Sequence, residues 1–434
     1  MFSIDINIFS WILIGIQIVA AILVPLFVLR PLRMIKKLPL SSQEGYVQEQ
    51  ADTYEASADS EHGEDTESEI YTETEAEEER LPKPEPPRLP KVSVVVYSTA
   101  DEDTLTEFLK NACKQDYPDF EIIVVCDASQ EVSGILSEKY EEMFKSVYVT
   151  FIPPGSHNLS RRKLALTIGI KAAKGEIILT TVANAVIPSA RWISEMAGPF
   201  IQDSAVELAL GYSRFDYQEI SGPGKKYKEF FSLLTDARWI GYAIMGKPYR
   251  GDGCNLAFLR ATFFRCKGYS KTMHLHSGED DLFVNDIADS FNTAVCISPD
   301  SILTTRWGTA AKRIYNLRRS QYDFTARWLP LGPFVRSGLA SLSQWIVLGA
   351  GLAAALIDLP NLIPSIAAAV IWIAFMIAET SAYRKAAVKL EATPLSAQVP
   401  IFWLVKPINN LYFRALHRSS RFKNFTWQRH KTPK

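Results

Sequence analysis

Three apolar runs limit the architecture of this chain more than any other feature. Ile8 to Leu29 is an almost uninterrupted apolar stretch, and Ser337–Ile357 and Leu362–Ala378 are two more, separated by Asp358-Leu-Pro-Asn361. About 20 such residues cross a hydrocarbon layer as a helix, because a helix satisfies its own N–H and C=O groups where there is no water. The first run has no basic residues ahead of it and no small-x-small cleavage site, so it reads as an anchor (1–37) rather than a removed leader. The other two predict a transmembrane hairpin over 334–380. Leu395–Leu411 is apolar too, but Pro400, Lys406 and Pro407 favour an interfacial or re-entrant segment over a fourth span. Arg30, Arg33, Lys36 and Lys37 follow the first run, and Arg384, Lys385 and Lys389 follow the hairpin. The positive-inside rule then gives about three spans, with both the central part and the basic tail (381–434) in the cytoplasm.

Charge divides what lies between. Residues 41–80 hold 15 Asp/Glu and one Lys/Arg, which leaves 46 basic against 33 acidic residues in the rest of the chain. An acidic, apolar-poor segment cannot bury enough surface to offset its ordering entropy, so 38–90 is expected to be a disordered linker ending in the Pro-rich spacer Leu81–Pro90. The basic remainder suits a phosphate-bearing partner or an anionic bilayer surface, and no nucleic-acid partner is expected. Five scattered cysteines without a Cys-x-x-Cys pair fit reduced thiols and neither a disulfide framework nor a zinc site. The few spans and lack of an intramembrane charge network speak against a transporter.

From Val92 the pattern becomes α/β. Val92–Val96, Glu121–Cys126, Val147–Ile152 and Glu176–Thr181 read as strands, with helices over Thr104–Lys114 and Ser160–Ala173. Non-alternating runs such as Ile122-Ile-Val-Val125 belong to strands covered on both faces. Asp127 closes one such strand at the carboxyl edge where open α/β sheets bind ligands; it could accept from a nucleobase or ribose, or cap the next helix. Lys163 lies in the first turn of its helix, where a cation opposes the macrodipole, so contact with an anionic ligand competes with a solvated face. Glu279-Asp280-Asp281 is the densest acidic cluster of this region, and clustered carboxylates can raise one another's pKa towards general-base work; a helix N-terminal cap is the alternative.

Taken together, Val92-Ser-Val-Val-Val96, Gln115-Asp-Tyr-Pro-Asp-Phe-Glu-Ile-Ile-Val-Val-Cys-Asp127, Arg161–Glu176, Gly251-Asp-Gly-Cys-Asn-Leu-Ala-Phe258 and Ser277-Gly-Glu-Asp-Asp-Leu-Phe-Val284 resemble the family 2 glycosyltransferases over residues 91–328. The resemblance implies a GT-A nucleotide-sugar-binding, Rossmann-like mixed sheet. It also implies inverting transfer from a nucleotide-sugar donor to a lipid-linked or surface-polysaccharide acceptor at the cytoplasmic membrane face. By it Asp280 is the general base, with Glu279 beside it and Asp281 as nearest competitor. Asp127, Lys163, Asn184, Arg318 and Arg319 are expected at the donor, and Gly251, Gly253 and Asn255 in an acceptor loop. The family further implies a divalent cation, Mg or Mn, on a Thr-Asp-Ala-Asp segment. This chain has Thr181-Val-Ala-Asn184 there, so Val182 offers no ligand and Asn184 only a neutral carbonyl oxygen, a weak metal candidate. The opposing expectation is a glycosyltransferase-like membrane scaffold that has lost its metal site.

Overall fold

The computed structural model describes residues 7–23, 25–26, 29–35, 89–99, 101–153, 159–359 and 362–418. The acidic stretch, most of the Pro-rich spacer and the end of the basic tail lie outside the described residues. The chain opens with helices α1 (Ile8–Leu23) and α2 (Arg30–Met34). After the linker come β1 (Val92–Ser98), α3 (Glu102–Ala112), β2 (Phe120–Cys126), α4 (Gln130–Met143), β3 (Val147–Phe151), α5 (Arg161–Ala172) and β4 (Ile177–Val182). Next are β5 (Ala185–Val186), α6 (Trp192–Gln202), β6 (Leu208–Leu210), β7 (Ser213–Phe215), α7 (Lys225–Ile244), β8 (Leu256–Leu259) and α8 (Arg260–Arg265). The last elements are α9 (Asp281–Ile287), β9 (Thr293–Val295), β10 (Leu303–Thr305), α10 (Ala311–Thr325), α11 (Leu331–Ile357), α12 (Leu362–Lys389) and α13 (Val399–Arg418).

Seven strands form one mixed sheet in the order β3-β2-β1-β4-β8-β6-β9, and β5-β10-β7 form a second, small one. β1 to β4 are mutually parallel, and β8 runs antiparallel to β4 with Thr180 opposite Leu256. That reversal positions the site: the loop leading into β8 starts at the sheet edge where β1, β2 and β4 end. Every residue of β4 is buried, because one apolar layer covers each face. A parallel strand covered on both faces needs the continuous apolar run that Ile177-Ile-Leu179 supplies.

The membrane-facing part inverts the usual order of inside and outside. α1 packs against α11 and α12, and the side chains between these helices include Ser10, Gln17, Ser341, Gln344 and Glu379, while Leu342, Leu352, Ile366 and Ile377 point outward. Gln17 donates to the carbonyl of Ala368 at 3.0 Å, and Gln344 donates to Glu379. A Cβ on Gly351 would come within 2.5 Å of the Gln17 amide, so the glycine lets that side chain lie close against the helix. Polar and small residues inside with large apolar ones outside is the packing of helices solvated by hydrocarbon. α11 and α12 have the length and apolarity to cross a membrane, with mean hydropathy of 1.7 and 2.1; α1, with 16 residues, is shorter. The apolar stretch Leu395–Leu411, expected to be interfacial or re-entrant, lies largely in α13, a helix with Pro407 inside it. It joins the α/β domain through Trp403, which packs on Phe230 of α7.

Candidate active site

Three loops meet at the carboxyl edge of the sheet, each held there by a specific backbone or buried side chain. Gly278 has φ of +102°, and a Cβ on it would fall 2.5 Å from Leu282, so this turn into α9 requires glycine. A Cβ on Gly253 would lie 3.0 Å from that of Asp280, so the loop before β8 packs tightly under the acidic cluster and a side chain there would press on Asp280. From the other side, the first turn of α5 fastens the stretch ahead of the cluster. Ser160 donates to the carbonyl of His276 at 3.0 Å, and the Lys163 ammonium donates to the carbonyls of Thr272, Leu275 and Ser277 at 2.6, 3.2 and 2.9 Å.

This corrects the expectation for Lys163, whose side chain is fully buried and whose three protons are all taken by backbone. Burial lowers its pKa to about 8, against the pull of Glu279, Asp280 and Asp281. It holds the loop of the acidic cluster from beneath, with its ammonium turned to backbone rather than to the cleft.

The acidic cluster separates into three environments. Glu279 is buried, with its Oε1 3.2 Å from Nε of Arg162, and burial raises its pKa. Asp281, 1% exposed, pairs with buried Arg250 at 3.2 Å and accepts from Thr325; burial and adjacent Asp280 raise its pKa against the pull of Arg250. Asp280 is the half-buried member. Its Oδ1 accepts from the backbone N–H of Asp281 at 2.7 Å, and its Oδ2 lies 3.5 Å from that of Gly253. A carboxylate oriented by two N–H groups and still open to a pocket is suited to take a proton, whereas Asp281 is enclosed by its own partners.

That pocket is also lined by Arg162, Asp252, Cys254, Arg318 and Tyr322. The Arg162 guanidinium reaches over the Tyr97 ring, with its centre 6.0 Å from the ring's. Arg318 donates to Asp252 at 3.4 Å and to the Tyr322 hydroxyl at 3.3 Å. At the end of β2, Asp127 accepts from Tyr97 at 2.8 Å and from Nε of Arg161 at 2.7 Å. The structure thus brings Asp127, Gly253, Glu279, Asp280 and Arg318 to one edge. Arg161, Arg162, Tyr97 and Asp252 were missing from the expected set, although Asp252 stands between the two glycines singled out.

Three further expectations are corrected. Arg319 turns away from the cleft, donating to Asn409 and Asn410 of α13 at 2.9 Å each, with its guanidinium 4.1 and 4.0 Å from the ring centres of Phe231 and Phe413. Asn255 is fully buried, donating to the carbonyls of Tyr212 and Ser301 and accepting from Trp192, so it braces β8 and cannot meet an acceptor. Gly251 lies against the core, where a Cβ would come within 2.8 Å of Val284.

Residues 92–266 match the model of glycosyl transferase family 2. They form a family 2 glycosyltransferase domain. A 96-residue stretch of the chain is 31% identical to an undecaprenyl-phosphate 4-deoxy-4-formamido-L-arabinose transferase of Pseudomonas fluorescens (strain Pf0-1), covering 21% of this chain and 27% of that protein. Among solved structures, mannosyltransferase PcManGT from Pyrobaculum calidifontis, in complex with GDP-Man and Mn2+, is 17% identical with a TM-score of 0.47, covering 92% of this chain and 99% of that one. S. aureus TarS 1–349 is 17% identical with a TM-score of 0.36, covering 77% and 92%.

Among the described residues, the segment Thr181–Asn184 does not supply the carboxylates for the divalent cation that this family implies. Val182 is 2% exposed and packs in the core, and the backbone carbonyl of Asn184 accepts from the Arg306 N–H at 2.9 Å. Among the described residues, no three His, Cys, Asp or Glu side chains are grouped to hold a metal. The Asn184 side chain remains one neutral oxygen, below what a hard dication requires.

Proposed function

We propose that the chain is an inverting glycosyltransferase that moves a sugar from a nucleotide-sugar donor to a lipid-linked or surface-polysaccharide acceptor at the cytoplasmic face of a membrane. The observation that supports this reading is that Asp280, the one half-open carboxylate of the cluster, lines the same pocket as Arg162 and Arg318. Asp280 takes the proton of an acceptor hydroxyl as its oxygen bonds to the anomeric carbon. The bond from that carbon to the diphosphate breaks on the opposite side, and its electron pair leaves on the diphosphate oxygen. Attack opposite the leaving group inverts the centre. Arg162 and Arg318 offset the negative charge that develops on the diphosphate, and Asp127 with Tyr97 and Arg161 makes a polar rest for the nucleoside. α11 and α12 cross the bilayer with α1 beside them, and the basic flanks at Arg30–Arg33 and Arg384–Lys389 hold the domain at the cytoplasmic surface.

Val182 in the core favours one other reading, a glycosyltransferase-like scaffold that binds without transfer. Purified full-length protein in detergent, supplied with a panel of nucleotide sugars and a mixture of prenyl-phosphate and prenyl-linked sugar acceptors, should release nucleoside diphosphate from one of the donors, with and without a chelator alike. Release that collapses on chelation would show that a metal is held by other groups. Nucleotide binding without release from any donor would establish the scaffold.

A further inference from the structure

Beyond the catalytic pocket the domain contains a polar cavity of about 470 Å³ between the small sheet and the cytoplasmic end of α12, lined among others by Arg214, Asp216, Asp236 and Arg306. Its size is that of a small-molecule site. On the outer side of the same helix, α12 and the start of α13 form an open groove of about 1290 Å³, with Ile373, Met376, Ile377 and Ile401 along it. These spaces are consecutive. The catalytic pocket shares Arg318 and Tyr322 with a narrow neck of about 30 Å³, the neck shares Ser232 and Asp236 with the polar cavity, and the cavity meets the apolar groove at Glu391.

Charge is distributed along this series in a way that selects an occupant. Arg384, Lys385 and Lys389 line the groove, with Glu391 the one acid among its described lining residues. The polar cavity instead mixes signs: Arg214, Arg306 and Lys225 face Asp216, Glu229 and Asp236. Mixed donors and acceptors in a polar cavity suit uncharged hydroxyls, whereas a cationic cluster beside an apolar trough suits a phosphate on a long hydrocarbon chain. Glu391 itself is a non-glycine residue at φ of +52°, an unfavoured conformation held where Arg214 donates to its carbonyl. The junction between cavity and groove is therefore fixed to the domain.

From this series we infer that the acceptor is a sugar already attached to a lipid phosphate. Its hydrocarbon chain lies in the α12–α13 groove, its phosphate rests against Arg384, Lys385 and Lys389, and its sugar occupies the polar cavity with a hydroxyl directed past Arg318 to Asp280. The inference rests on the glycosyltransferase reading and deepens it: the chain extends a lipid-linked saccharide, and the nucleophile is a sugar hydroxyl. Arg318, which spans Asp252 and Tyr322 at the neck, opens it when drawn towards a donor diphosphate.

The test uses full-length protein in detergent and four probes: geranylgeranyl diphosphate-linked hexoses and N-acetylhexosamines, geranylgeranyl phosphate, the free sugars, and the nucleotide alone. One of the lipid-linked sugars should bind and accept a second sugar, while geranylgeranyl phosphate and the free sugars should not be glycosylated. Replacing exposed Arg384→Gln and Lys385→Gln together should weaken lipid-linked acceptor binding roughly tenfold to thirtyfold, leaving nucleotide affinity and Tm unchanged. Thr393→Trp, at an exposed position on the cavity wall, should abolish transfer to the lipid-linked sugar with the same nucleotide affinity. Glycosylation of geranylgeranyl phosphate would overturn the inference, since the phosphate would then be the nucleophile. Equal use of free sugar, or an Arg384/Lys385 variant with unchanged acceptor affinity, would overturn it as well. Loss of nucleotide binding by the unaltered protein would instead refute the glycosyltransferase reading on which it rests.

Discussion

The rim of the cleft and the layer directly beneath it contain the same residue types, taken from neighbouring positions. Arg162 faces the pocket and Lys163 is buried under it; Asp280 is half open and Asp281 enclosed; Arg318 lines the pocket and Arg319 packs on α13. Consecutive helical residues point about 100° apart, so in α5 and α10 one of each pair reaches the ligand side and the other the support, while Asp280 is the N-cap ahead of Asp281 in α9. In the support layer the charged groups are taken up by protein partners: Lys163 by three carbonyls, Asp281 by Arg250 and Thr325, Arg319 by two asparagines and two rings. A buried charge held in this way fixes geometry and faces protein rather than a substrate. In the rim, Asp280 and Arg318 are held by fewer and longer contacts and stay partly open.

Separating the two members of each pair by mutation tests this contrast, and the acidic pair should show it most strongly. Asp280→Asn should cut turnover by on the order of a hundredfold or more with nucleotide affinity and Tm near the unaltered values. Asp281→Asn keeps the shape and the acceptor for Thr325 and should stay within about tenfold in turnover, whereas Asp281→Ala, which strips buried Arg250 of its partner, should cost about 3 to 5 kcal/mol in stability. Turnover and Tm measured on the three proteins decide the assignment. If Asp281→Asn is the inactive one and Asp280→Asn is not, the roles of rim and support are exchanged.

Arginine on α10 gives the next largest separation. Arg318→Ala should lower turnover by on the order of tenfold to a hundredfold, because it removes charge stabilisation from the diphosphate, with little change in stability. Arg319→Ala should act in the other direction, costing about 2 to 3 kcal/mol through lost hydrogen bonds and ring contacts with nearly normal turnover per folded molecule. Equal kinetic damage from both would mean that α10 presents both guanidinium groups to the donor.

The same contrast explains what could be read from the sequence. β1 to β4 agree with the expected strands to within two residues, because a strand buried on both faces needs an apolar run that few other structures tolerate. The remaining strands have two to four residues, too short for any periodicity, and their pairing depends on partners far along the chain. In the site, Asp127 and Asp280 stand at the strand and helix ends where their motifs place them, whereas Arg318 lies midway along α10 in an Arg-rich segment. The burial of Lys163 was not legible, since its partners lie 109 to 114 residues away in a loop without regular pattern. Val182 is a converse case: it stands in the motif position of a carboxylate, yet its packing shows an ordinary core valine. The apolar runs foretold the bundle, but not that Gln17 and Glu379 would sit inside it.

The finest discrimination between rim and support concerns Ser160, which belongs to the support and carries no charge. Its hydroxyl donates to the His276 carbonyl at 3.0 Å, and it is the N-cap of α5, although its oxygen stands 3.5 Å from the Lys163 N–H. Ser160→Ala removes that bond and the weak cap together, for about 1 kcal/mol. The Lys163 ammonium still holds Thr272, Leu275 and Ser277, so the loop before Asp280 should keep its place and only loosen at His276. The expected outcome is a Tm lowered by a few degrees, faster amide exchange confined to residues 274–278, and turnover within about threefold of the unaltered protein. Ser160→Thr, which keeps the hydroxyl, should restore the exchange pattern. A turnover loss as large as that of Arg318→Ala, with Tm unchanged, would move Ser160 from the supporting layer into direct contact with substrate.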